Sequence, residues 1–213
     1  MNMERGATKN RRFFKEYVEP IVIAILIALF IRAFIVQAFK IPSSSMEPTL
    51  LVGDHILVSK FIFGIRIPFT EVKLFQWNKP KRGDVIVFIF PLDRTKDFIK
   101  RVIGTEGDKV DIVRNKILIN GQEIEDPWGV YIDRPDWARF SGATGKYEHA
   151  IVPKDHIFVL GDNRDNSQDS RYWGFVDIKE VKGKAFTIYF SWNSNSEDLL
   201  GKIRWSRFAK LIH

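Results

Sequence analysis

The sequence predicts a mostly β protein: one extracytoplasmic domain of antiparallel sheets carried behind a single N-terminal transmembrane helix. Three observations predict it. A basic flank runs into a long apolar stretch, and beyond residue 40 the apolar residues come in short or alternating runs bounded by turn residues. The chain has 213 residues, 45% hydrophobic and 28% charged, enough to bury one core with an appended segment but short for two full domains. With Cys 0, disulfide frameworks, cysteine-ligated zinc or iron–sulfur sites and thiol nucleophiles are excluded.

Residues 1–16 place Arg5, Lys9, Arg11, Arg12 and Lys15 against Glu4 and Glu16, a large share of the net charge of +7. The remaining charge is mixed in sign, with no basic stripe interleaved with stacking aromatics, so no nucleic-acid partner is expected. The flank reads as cytosolic, because it precedes a span predicted over 17–39. That span comprises PIVIAILIALFI to Ile31, then Arg32, then AFIVQAF to Phe39. About 20 residues at 1.5 Å rise cross roughly 30 Å of hydrocarbon, and an arginine toward one end can snorkel to the headgroups. Only Lys40 follows before Ser59, so the positive-inside rule leaves the N-terminus in the cytosol and residues 40–213 outside. A rival reading is a removable secretory signal with an apolar region over Ile21–Ile31 and Val36-Gln37-Ala38 as its cleavage site. An amphipathic core helix fits less well, since residues 21–31 are apolar on every face.

From residue 40 the runs DHILVSKFI, GDVIVFIFP, DFIKRVIG, DKVDIV, KILING, DHIFVLGDN and KAFTIYFSW read as strands. Asn120-Gly121 is a two-residue hairpin turn, and Gly83-Asp84, Gly107-Asp108 and Gly161-Asp162 punctuate strand ends. No internal repeat or long linker divides residues 40–213, and the stretch 126–146, rich in Trp, Pro, Gly and Tyr, reads as a loop or small excursion from the sheet. Residues 61–77 concentrate Phe61, Phe63, Phe69, Phe75 and Trp77. They suit either a hairpin with one buried face or an aromatic surface at the lipid interface.

Most familiar active-site patterns are absent: HExxH, GxSxG, SxxK and GxxxxGK[ST]. An EF-hand loop counted from Asp165 in the Asp-rich segment 162–170 would put Ser170 at the glycine position and Val176 at the bidentate glutamate, so calcium is not favoured. His55, His149, His156 and His213 show no metal-ligand spacing. Two features remain. Ile41-Pro42-Ser43-Ser44-Ser45-Met46-Glu47-Pro48 holds three serines between prolines, which restrict the backbone; in an extended chain Ser43 and Ser45 share a face. In Phe98-Ile99-Lys100-Arg101-Val102-Ile103 the alternation sets Lys100 beside Phe98 and Val102, and Arg101 beside Ile99 and Ile103, so one cation must sit among apolar side chains. Burial lowers a lysine pKa, whereas arginine stays charged, and a neutral amine within reach of a serine can take its proton. A polar loop leaving a membrane helix and a lysine at a sheet edge are the bland alternatives.

These residues resemble the type I (leader) signal peptidases, membrane-anchored serine proteases. The similarity runs in order through IPSSSMEPTLLVGD (41–54), RGDVIVFIFP (82–91), DFIKRVIGTEGDKV (97–110) and LGDNRDNSQDSRYWGFV (160–176), with IRWSRF (203–208) also fitting. The resemblance implies Ser45 as nucleophile and Lys100 as general base. Ser43 and the Ser45 N–H would serve the oxyanion, Ser167 would orient the lysine amine, and Asp169 with Arg171 would form a supporting ion pair beside Asp162. Ser44 stands where many members have glycine, one membrane span is seen where some have two, and the second extracytoplasmic domain of larger members is reduced around 111–150.

The activity so implied is removal of signal peptides from exported preproteins after a small-x-small motif, with preproteins and the lipid bilayer as partners, the cell membrane as location, and no cofactor or metal. A noncatalytic single-pass peptide-binding module and a self-cleaving repressor-type Ser-Lys peptidase are the alternatives. The first would lack a dyad residue, and the second would need a DNA-binding segment where this chain has a hydrophobic span.

Overall fold

The computed structural model describes residues 14–66, 73–113, 115–131, 146–198 and 201–213. Most of the basic flank, Phe69 and most of the 126–146 excursion therefore lie outside the described residues. Helix α1 (Glu19–Phe34), preceded by a π-helical turn over Phe14–Val18, gives 21 apolar-rich residues, none of them buried against the rest of the chain. At 1.5 Å per residue this is about the thickness of a hydrocarbon core. The helix stops at Phe34, short of the expected 39, because Val36–Lys40 form strand β1. A β-branched start and alternation around Gln37 suit a strand, and the partner that draws these residues out of the helix, β2 (Asp54–Ser59), lies beyond the serine segment.

Twelve further strands follow: β3 (Ile65–Arg66), β4 (Lys73–Phe75), β5 (Val85–Ile89), β6 (Asp97–Gly104), β7 (Lys109–Val113), β8 (Lys116–Ile119), β9 (Gln122–Glu123), β10 (Lys146–Ile151), β11 (His156–Leu160), β12 (Val176–Asp177), β13 (Val181–Ser191) and β14 (Lys210–Leu211). All pairings between them are antiparallel, as the sequence predicts. The main sheet runs β1-β2-β13-β5-β6-β11-β12, with β14 on β13. A smaller sheet, β10-β7-β8-β9, takes its strands from residues 109–151, and β3-β4 is a separate hairpin. Asn120 and Gly121 both take positive φ, 55° and 83°, as a tight hairpin between β8 and β9 requires.

β5 is buried at every position, and β6 beside it is buried from Lys100 to Gly104. One face packs Ile86, Phe88, Val102 and Val159; the other packs Val85, Val87, Ile99 and Ile188 with Ile41, Met46 and Leu50 of the β1–β2 connection. That second cluster ties the serine segment to the sheet.

Candidate active site

The segment joining β1 to β2 is closed at its base by Ile41 N donating to Asp54 O (2.8 Å) and Gly53 N donating to Ile41 O (3.0 Å). Met46 and Leu50 are fully buried, and Ser45 immediately precedes the first of these anchors, so its position follows from core packing. The serines lie on a bend rather than in an extended strand. Ser43 and Ser45 still share a site, their hydroxyl oxygens 3.4 Å apart, while Ser44 Oγ accepts from Asn166 Nδ2 (2.8 Å).

Lys100 sits in β6 opposite Ile86, with Nζ 5.5 Å from the centre of the Phe98 ring. It is 3% exposed and donates to Ser45 Oγ at 2.6 Å; Ser45 is 8% exposed. Burial drives the amine down from 10.5 to about 8, against the opposing pull of Asp169 and Asp162 and with a smaller lowering push from Arg171. An amine so placed is roughly a tenth neutral at pH 7, far more than an ordinary lysine, and can take a hydroxyl proton. The pair opens into a cleft of about 350 Å³ whose other walls include Pro42, Ser43, Phe98, Ile99 and Gln168.

The segment 160–176 wraps this pair from behind. Asn163 N donates to Ser45 O and Asn163 Nδ2 to Ser44 O, both at 3.2 Å. Gly161 packs so closely that a Cβ would overlap Ser45 O and Ser167 Oγ. Asp169 caps α2 (Ser170–Trp173); its carboxylate accepts from Gly161 N (3.0 Å) and from Arg171 Nε (2.8 Å), so the implied Asp169–Arg171 ion pair is present. Ser167 Oγ is buried and makes no hydrogen bond among the described residues, so the bond to the Lys100 amine that the resemblance implies is not formed here. Asp162 is fully buried but pairs with Arg101, through Nε (2.8 Å) and a terminal nitrogen (2.7 Å), rather than with Lys100.

Both cations of the Lys100-Arg101 pair are buried, whereas alternation required it of only one. Arg101 is paired with Asp162, donates to Gly83 O at 2.7 Å and lies 4.3 Å from the Trp128 ring, whereas among the described residues no carboxylate bonds Lys100 directly. Arg101, Asn163 and Asn166 were not singled out as site residues in the sequence. Two consecutive cations in an apolar strand were the available signal for a buried arginine needing a carboxylate, but its partner lies 61 residues away.

The profile of the signal peptidase family, peptidase S26, matches residues 14–192. Signal peptidase I of Pseudomonas fluorescens is 39% identical over 206 residues, covering 83% of this chain and 72% of that protein. Signal peptidase I of Aquifex aeolicus is 37% identical over 228 residues, covering 83% and 84%. A crystal structure of a signal peptidase I from Enterococcus faecalis aligns with 50% of this chain and 97% of that one, at 32% identity and a TM-score of 0.40. By the extent of the family match and the identity of these relatives, the chain belongs to the signal peptidase family, peptidase S26.

Proposed function

We propose that this chain is a membrane-anchored serine endopeptidase that removes N-terminal signal peptides from exported preproteins, with Ser45 as nucleophile and Lys100 as general base. The observation that carries the reading is the buried Lys100 amine 2.6 Å from Ser45 Oγ, its pKa lowered by desolvation. In the neutral state Lys100 takes the Ser45 proton as Oγ attacks the carbonyl of the −1 residue, then delivers it to the leaving amine; water hydrolyses the acyl-enzyme by the same route. Ser43 Oγ, close to Ser45 Oγ, and the Ser45 N–H stabilise the oxyanion. Ser167, Asp162, Asp169 and Arg171 form the supporting shell. Asp169 fixes Gly161 behind Ser45, and Asp162 holds Arg101 next to Lys100.

A preprotein offers an apolar segment in the bilayer followed by an extended cleavage site. Beyond β11's short pairing with Arg101–Gly104, residues 97–100 of β6 line the cleft, where an extended peptide can add along the strand. Its −1 and −3 side chains then share a face, which accounts for small-x-small selectivity. The positive-inside rule, applied to the basic flank, supports an N-terminus in the cytosol and a sheet, starting two residues after α1, on the far side of the membrane.

The test is a processing assay on the full-length chain in liposomes with a model preprotein. Ser45→Ala is expected to abolish cleavage. Lys100→Arg, which keeps the charge but cannot become a neutral base, is expected to do the same. Wild-type rates from either folded variant overturn the assignment.

A further inference from the structure

The apolar helix and the main sheet meet without a linker. α1 ends at Phe34, and after Ile35 the chain is already in β1, paired with β2 from Val36↔Ser59 to Lys40↔His55. Where β2 ends, the chain turns back on the helix. Lys60 N donates to Ile35 O (2.9 Å), and Lys60 Nζ reaches past it to Ala33 O (2.6 Å). Ala33 O belongs to the last helical turn, whose carbonyls have no donor within the helix, and an ammonium there also opposes the negative end of the helix dipole. The next residue, Phe61, stands with Phe30, Phe34 and Ile35 around an apolar cavity of about 290 Å³, its ring 4.7 Å from that of Trp77. A strand ladder, two hydrogen bonds from one lysine and aromatic packing make this junction a fixed joint.

The joint matters because Ser45 lies in the connection between its two strands, β1 and β2. Five residues of β1 at about 3.4 Å each form a lever of roughly 17 Å, so a tilt of about 10° at the helix end moves the serine segment by about 3 Å, one residue of an extended substrate. A slip of one residue exchanges the faces of the −1 and −2 side chains. We infer that Lys60 is a positioning residue that sets the cleavage register: by holding the helix end against the sheet, it fixes the height and direction of the Ser45–Lys100 cleft relative to the bilayer. This rests on the proposed function, in which the substrate's apolar segment is itself held in the membrane.

The test uses the full-length chain in liposomes with two substrates, a membrane-inserted model preprotein and a water-soluble peptide spanning the same cleavage site. Lys60→Met is expected to leave peptide kcat/KM within about twofold of wild type. It should lower preprotein kcat/KM about tenfold, the order of one hydrogen bond from a charged donor. Mass spectrometry should then find product N-termini spread over adjacent bonds. Lys60→Arg, which can still donate to Ala33 O, is expected to restore a single product. The inference is overturned if Lys60→Met cuts the preprotein at the wild-type bond and rate, or if both substrates lose activity equally. Peptide cleavage by Ser45→Ala would overturn the functional reading instead, whatever Lys60 does.

Discussion

Lys100 occupies a site that favours its uncharged form, and the reason lies in how the neighbouring charges are spent. Asp169 is engaged by Arg171 and Asp162 by Arg101, so both carboxylates raise the amine less than desolvation lowers it. The fraction of neutral amine therefore grows through pH 8, and peptide kcat/KM is expected to rise with pH to a plateau above about 8, measured on a soluble substrate so that membrane effects drop out. A flat profile between pH 6 and 9 would remove Lys100 as the base. The same shift has a stability sign. The folded pKa lies below the ordinary 10.5, so the penalty is full below pH 8 and is relieved as pH climbs from 8 toward 10.5. Lys100→Met removes the charge at similar volume and is expected to stabilise the detergent-solubilised chain at pH 7, with an upper bound on the order of 3 kcal/mol. Thermal unfolding at pH 7 and pH 10.5 checks it: the gain should be present at the first and gone at the second.

At the scale of elements, the segment 160–176 acts as the wall against which the serine bend is set. At Gly161 there is no room for a side chain against the bend, and Asn163 grips Ser44 and Ser45 by their carbonyls. Gly161→Ala is expected to push the bend away from Lys100 and lower kcat at least a hundredfold, since misplacement by about 1 Å can cost that much, while far-UV circular dichroism stays unchanged. Wild-type kcat would show that the bend tolerates the displacement. Nothing local announced this contact, and the contrast with what was legible is instructive. The Asn120-Gly121 turn and the face of Lys100 could be read because each follows from a rule spanning a few residues: positive φ in a tight turn, alternation along a strand. The end of the helix is harder to read, because residues 35–39 continue the apolar run with only Gln37 to interrupt it, and pairing with β2 decides the change. In the sequence, only the family resemblance distinguishes Ser45 from the two serines beside it. The physical reason, that Ser45 abuts the buried Met46 while Asn166 holds Ser44, needs the fold.

Across the whole molecule, the serine bend is held at its base by a residue near the far end of the sequence. Asp54 is fully buried at the start of β2 and accepts from Ser191 Oγ at the end of β13 (2.6 Å), from Leu51 N (2.8 Å) and from Arg207 Nε (2.9 Å). Arg207, 153 residues away from Asp54, also donates to Thr49 O within the bend (2.9 Å). The segment around 203–208, which carries no group of the proposed dyad, thus clasps the loop that does. A buried ion pair resists loss of one partner more than loss of both, because the survivor stays charged and desolvated. Asp54→Asn is expected to destabilise the chain by about 3–5 kcal/mol, Arg207→Met by a similar amount, and the double variant by clearly less than the two together, a coupling above about 1.5 kcal/mol. Denaturant unfolding of the four proteins measures it. Peptide kcat should fall in both Arg207→Met and the double variant, because each loses the bond to Thr49 O whatever happens to the charge. Additive stabilities would reduce the clasp to independent contacts, and an unchanged kcat in Arg207→Met would separate it from the placement of Ser45.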